Sequence, residues 1–161
     1  MKSRLQEEIH KKHPFEHPED EAILNLLRTH SVLFSATERF LRNHDLSMAT
    51  YNVLRILRAA GDEGRSCSGI GDDMVARVPD VTRLVDRLER LGMVTRGRGQ
   101  QDRRVVRVVI TQAGTDLLAK VDMPLIELYK SMFKHMSRGE LDHLSALLYK
   151  ARHPEEFGVV G

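Results

Sequence analysis

The sequence predicts a mainly α fold that carries one small β-wing, and three observations predict it. Apolar residues recur at helical spacing over most of the chain. The period drops from about 3.6 to about 2 residues only between Met93 and Ile110, around a turn rich in glycine and arginine. Helix start and stop signals fall where the pattern breaks: Ser47, Gly61, Gly92, Thr111 and the run Ser137-Arg138-Gly139-Glu140.

Up to Pro18 the chain mixes charges with His10, His13 and His17 and is interrupted by Pro14, which reads as a short helix and an irregular arm. Over residues 19–43, Ile23, Leu26, Leu27, His30, Leu33, Phe34, Thr37, Phe40 and Leu41 mark a long amphipathic helix. Ser47 caps a second helix along Tyr51, Leu54, Ile56, Leu57 and Ala60, and Gly61 ends it. Residues 66–75 form a short helix with Ile70 and Met74 facing inward. Gly69 and Gly71 weaken it, at roughly 1 kcal/mol each against alanine, so packing must hold it. Pro79 opens the next helix at its first-turn position and Asp80 suits the positive end of the dipole. Val81, Leu84, Val85, Leu88 and Leu91 supply its buried stripe, and Gly92 its C-cap.

Residues 93–96 and 105–110 then read as two strands joined by the polar loop Gly97-Arg98-Gly99-Gln100-Gln101-Asp102. Thr111 caps a long helix reaching about residue 135, with a bend expected at Pro124. The capping box at Ser137 and Glu140 opens a last helix to about residue 152, along which Leu141, Leu144, Leu147 and Leu148 recur. Two short helices, an amphipathic helix and a basic hairpin make the winged helix-turn-helix layout. The flanking helices expose more apolar surface than one chain can cover, which predicts terminal dimerisation helices.

Charge distribution points to the partner. The net charge is only +2, yet from Arg77 to Arg107 nine arginines stand against four acids, leaving +5 on that stretch. A basic stripe on a balanced chain is the footprint of a polyanion. Burying Val81, Leu84, Val85 and Leu88 turns Thr82, Arg83, Asp86, Arg87 and Arg90 outward on a helix that fits the major groove, where arginine bonds guanine in bidentate fashion. Arg98, Arg103 and Arg104 at the hairpin tip reach the adjacent minor groove. A solvated face, with Arg87 and Arg90 pairing to Asp86, is the alternative for the helix alone; the hairpin that follows disfavours it. Between Arg77 and Arg107 there is no Phe, Tyr or Trp to stack on bases, so duplex is preferred to single strands.

The segment Asp80-Val81-Thr82-Arg83-Leu84-Val85-Asp86-Arg87-Leu88-Glu89-Arg90-Leu91-Gly92-Met93-Val94, followed by Asp102-Arg103-Arg104 and by Val109-Ile110-Thr111-Gln112-Ala113-Gly114, resembles the recognition helix, wing and following helix of the MarR (multiple antibiotic resistance regulator) family. The likeness runs over residues 19–152. It implies a triangular homodimer whose first, fifth and sixth helices interlock and set two winged lobes on one face of an inverted-repeat operator. Carried over by position, Thr82, Arg83 and Arg87 become major-groove and phosphate contacts, Arg104 and Arg103 wing contacts, and Asp102 the residue that orients the wing. It further implies repression relieved by a small, lipophilic anion. The expected division is an N-terminal arm and first dimerisation helix (1–46), the DNA-binding lobe (47–111) and the C-terminal dimerisation helices (112–161).

Other chemistries fit less well. Pro14 and Pro18 keep His10, His13 and His17 off one helix face, and no cysteine or carboxylate cluster completes a ligand set, so no metal and no cofactor is expected. Cys67 reads as a small half-buried residue; alone, it forms no disulfide within the chain, in keeping with a reducing cytoplasm. The N-terminus has no apolar run of signal-peptide type, and no segment is long enough to span a membrane. His30, Asp45 and Ser47 supply acid-base residue types, but no nucleophile elbow or phosphate loop accompanies them, so an enzyme is not expected.

Overall fold

The computed structural model describes residues 3–98 and 106–158. In chain order it has helices α1 (Arg4–Glu8), α2 (Pro18–Arg42), α3 (Met48–Ala60), α4 (Cys67–Asp73) and α5 (Val81–Arg90), strands β1 (Val94–Arg98) and β2 (Val106–Ile110), and helices α6 (Gln112–Phe133) and α7 (Arg138–Arg152). Single 3-10 turns lie at Gly61–Glu63 and Pro154–Phe157. The chain divides into a larger unit, residues 1–125, and a smaller one, residues 126–161. Among the described residues no helix is long and apolar enough to cross a membrane.

In the larger unit, α2 begins with Pro18 and the acids Glu19, Asp20 and Glu21, and ends with Arg39 and Arg42, so both ends complement the helix dipole. Only its C-terminal half is covered: Thr37 and Leu41 are buried, while Ile23, Leu26, Leu27, Val32 and Phe34 are exposed. The chain turns into α3 through Asp45, which adopts a left-handed φ of +57°. Ser47 then forms a capping box, its hydroxyl accepting from the Thr50 N–H while the Ser47 N–H donates to Thr50 Oγ1 at 2.8 Å. Val53, Leu54 and Leu57 of α3 form the centre of a core completed by Ile70 of α4, Val85 and Leu88 of α5, Val94 of β1 and Val108 of β2, all fully buried.

The hairpin is antiparallel, with Val94 opposite Ile110, Arg96 opposite Val108 and Arg98 opposite Val106. A third segment joins it. Arg65 and Val108 exchange both backbone hydrogen bonds, at 2.9 and 2.8 Å, as an isolated bridge. Gly64 makes this approach possible: its φ is +60°, and a Cβ there would stand 2.8 Å from Val109 Cγ2 and still closer to the Val108 carbonyl. Gly92 closes α5 with a φ of +70° in a Schellman motif, its N–H bonding Glu89 O and the Met93 N–H bonding Leu88 O, each at 2.9 Å. Thr111 then caps α6 by accepting from the Gly114 N–H at 3.1 Å, and α6 buries Leu118, Val121 and Leu125.

In the smaller unit, the Ser137–Glu140 capping box opens α7 as the sequence predicts. No residue of α7 is buried: Leu141, Leu144 and Leu148 are half-covered and Leu147 is exposed.

Four sequence readings are corrected. Pro79 precedes the helix rather than sitting in its first turn, because Asp80 is the N-cap and accepts the Arg83 N–H at 3.0 Å. Leu91 is 48% exposed, since it is the C-cap residue, where the chain leaves the packed face. Gly97 and Arg98 belong to β1, not to the loop, because the ladder continues to the Arg98–Val106 pair. Helix α4 stops at Asp73, so Met74 is its half-buried C-cap and Val75 lies beyond it, exposed.

Candidate nucleic-acid interface

Helix α5 is built to show one face. Its inward side is fixed by Val85 and Leu88, both fully buried, with Val81 and Leu84 half-buried beside them. At about 100° per residue, Arg83, Arg87 and Arg90 fall within about 60° of one another on the opposite side. All three are exposed, as is Thr82. Arg83, whose side chain is 86% exposed, pairs through Nε with Asp80 Oδ2 at 3.2 Å, so the cap residue also holds the first arginine of the face. Arg87 Nη2 reaches the Asp45 carbonyl at 3.5 Å, and Arg90 Nε the Asp86 carbonyl at 3.4 Å. Asp45, Arg87, Arg90 and Leu91 line an open cleft of about 560 Å³.

The arginines between Arg77 and Arg107 are not equivalent. Arg96 leaves β1 to meet α5, its Nη2 at 2.5 Å from Asp86 Oδ1 and its Nη1 bonded to Glu89 Oε2. The bond to Asp86 is the largest cause raising the Arg96 pKa above its ordinary value, with the pair to Glu89 adding to it against the opposing effect of burial. Asp86 is thus paired with Arg96, and neither Arg87 nor Arg90 forms an ion pair with its carboxylate among the described residues. Arg107 is half-buried and donates to the Gly64 carbonyl at 3.3 Å, which ties it to the lobe.

Of the residues singled out in the sequence, Arg83 and Arg87 thus share one exposed face, while Thr82, also exposed, lies about 100° around the helix from Arg83. The wing-tip residues Asp102, Arg103 and Arg104 lie outside the described residues, as does the Arg98 side chain. Sequence reading turned Arg90 outward with this face but gave it no contact, although its spacing of seven from Arg83 sets it beside that residue. It also missed the role of Arg96.

Behind the face, α3 is joined to α6. The Tyr51 hydroxyl donates to Asp122 Oδ1 at 2.8 Å and Arg58 Nη1 lies 2.6 Å from Asp122 Oδ2. Burial alone would raise the Asp122 pKa, but these two partners outweigh it and hold the carboxyl below its ordinary value. Burial, then the bond to Asp122, pushes the Tyr51 phenol up. Cys67 is half-buried at the start of α4. Among the described residues the one group with ligand-like spacing is the half-buried His153 with the exposed Glu155 and Glu156, beyond α7, and it does not include His10, His13 or His17.

Comparison with known proteins follows the same outline. The profile described as "MarR family" matches residues 46–106. A MarR transcription factor from Planctomyces limnophilus is 36% identical, covers 84% of this chain and 98% of its own, and superposes with a TM-score of 0.65. The transcriptional repressor IacR of Pseudomonas putida is 28% identical over 80% of this chain and 75% of its own length. CouR from Rhodococcus jostii, solved with p-coumaroyl-CoA bound, has the same fold at a TM-score of 0.72 and 22% identity, over 87% of this chain and 97% of that one.

Proposed function

Because this chain belongs to the MarR family of winged helix-turn-helix transcriptional regulators, which bind DNA and are not enzymes, we propose that it is a sequence-specific repressor released from duplex DNA by a small organic effector. The observation that carries the DNA reading is the backing of an exposed Arg83–Arg87–Arg90 face by the fully buried Val85 and Leu88, with a hairpin directly after it. In this reading Thr82 and Arg83 enter the major groove and Arg87 contacts phosphate. Arg98, Arg103 and Arg104 serve the wing in the minor groove, with Asp102 orienting it. Repression takes its support from IacR, and an effector from the ligand on CouR.

The active form in this proposal is a homodimer. In the larger unit the apolar residues exposed on α2 and Met123 of α6, and in the smaller unit Ile126 and Leu147, are the residues a second copy covers. Residues 1–46 and 112–161 then serve dimerisation and residues 47–111 bind DNA, in the cytoplasm, on an inverted repeat with half-sites about 34 Å apart.

The test separates base reading from charge. Arg83 sits in the first turn of α5, the part of a recognition helix nearest the base edges. Arg83→Ala is expected to cost roughly 1–3 kcal/mol on the selected operator and to leave binding to scrambled duplex nearly intact. Arg87→Ala is expected to weaken both by similar factors and to flatten the salt dependence by about one unit. Titrations at two salt concentrations measure this. Equal loss on both duplexes for Arg83→Ala would reassign Arg83 to the backbone, and no change for either variant would end the recognition-helix reading.

A further inference from the structure

Helix α5 carries two acids along the edge of its cationic face. Asp86 lies about 40° from Arg90 around the helix and Glu89 about 60° further on. Left uncompensated, carboxylates here would repel phosphate, and at the groove floor a carboxylate would accept from cytosine N4. Both are taken up by one side chain from another element. The Arg96 guanidinium spans one helical turn, bonded to Asp86 through Nη2 and to Glu89 through Nη1, and its side chain is only 25% exposed.

Arg96 is itself held from behind. It faces Val108 across the hairpin, and Val108 is fully buried and bridged on its other side to Arg65. The strand position from which the guanidinium projects is therefore fixed before it reaches α5. A planar fork on a fixed base, meeting two carboxylates three residues apart on a helix, sets both the rotation of α5 and its distance from β1.

We propose that Arg96 is a positioning residue for sequence recognition: it keeps the Asp86 and Glu89 charges off the DNA-facing surface and locks the base of the wing to the reading helix, without contacting DNA itself. This rests on the reading of α5 as the recognition helix. It contrasts with the charge-count view, in which Arg96 is one more phosphate contact.

The experiment uses the full chain, with the best duplex selected by the parent protein from a random-sequence pool and a scrambled duplex of equal length. Asp86→Asn/Glu89→Gln removes two negative charges and frees Arg96. The expected result is a several-fold gain on scrambled duplex together with about a tenfold fall in the selected-to-scrambled ratio. Arg96→Ala is expected to lower both affinities. Adding Asp86→Asn/Glu89→Gln to it should restore scrambled-duplex binding to the parent level while the ratio stays low. Arg96→Lys, which keeps the charge and loses the fork, should retain scrambled-duplex binding and lose part of the ratio. If Arg96→Ala does not fold by circular dichroism, the acid-side double variant decides alone. An unchanged ratio in that variant overturns the proposal, as does an Arg96→Ala loss that is equal on both duplexes and flattens the salt slope by about one unit. Arg83→Ala separates the two levels. If it collapses the ratio while the Arg96 and acid variants do not, only the positioning role falls; if it too changes nothing, the recognition-helix reading falls with it.

Discussion

Helices α5 and α2 are both amphipathic, yet one has its apolar side covered within the chain and the other does not. In α5, Val85 and Leu88 are fully buried, the N-cap and the Schellman motif are complete, and the acids are paired by Arg96. In α2, Thr37 and Leu41 are buried at one end, but the preceding turns leave Ile23, Leu26, Leu27, Val32 and Phe34 in solvent. The difference separates two sources of order. The lobe around α5 draws its stability from one polypeptide, whereas the bare half of α2 has apolar area whose burial requires something else.

The contrast can be broken first at its strongest point. Leu88→Ala should lower stability by about 2–5 kcal/mol in urea unfolding, because it opens a cavity in a fully packed core. Leu27→Asp, at a position 58% exposed, should leave the spectrum of the fold unchanged and shift sedimentation toward monomer. A comparable loss of folding stability from Leu27→Asp would erase the distinction.

The next effect lies where α3 meets α6. Asp122→Asn should cost about 1–3 kcal/mol near neutral pH by weakening the bonds to Arg58 and Tyr51. Since the folded pKa of Asp122 is depressed, its ionised form stabilises the protein above the unfolded value of about 3.9, and that contribution is lost as pH falls through the lower folded value. Acid unfolding of the parent should therefore include a component below about pH 4 that the Asn variant lacks. Ser47→Ala, which removes half of the capping box, should cost about 1 kcal/mol by thermal melting. The smallest change should be a gain. Gly71→Ala adds a Cβ at ordinary contact distance from Val81 Cγ2, 3.5 Å, and should stabilise α4 by about 0.5–1 kcal/mol.

Most of the fold was legible because it is written in local signals. Ser47, Gly92, Thr111 and Ser137 act on backbone groups within a few residues, and the change of period marks the hairpin without outside help. The exposed face of α5 was legible for the same reason, since burying one side of a helix dictates the other. Arg96 was not. In a charge count it looks like Arg83, and only the Asp86 and Glu89 carboxylates brought against it by folding distinguish the two. The Arg65–Val108 bridge escaped because a single bridged residue has no alternation to detect. Leu91 misled because its spacing fits the stripe, whereas its burial depends on where the chain departs at Gly92.

Thr111 has a mechanical consequence. Its hydroxyl donates to the Gly92 carbonyl at 2.7 Å and accepts from the Gly114 N–H at 3.1 Å, while its own N–H bonds the Met93 carbonyl at 3.0 Å. The end of α5 and the start of α6 are thereby riveted into one corner, although Gly92 and Thr111 stand nineteen positions apart in the sequence. One residue therefore serves as a shared joint: Thr111→Val, which keeps the shape and removes the hydroxyl, would strip both the α6 cap and the tie to the end of α5 at once.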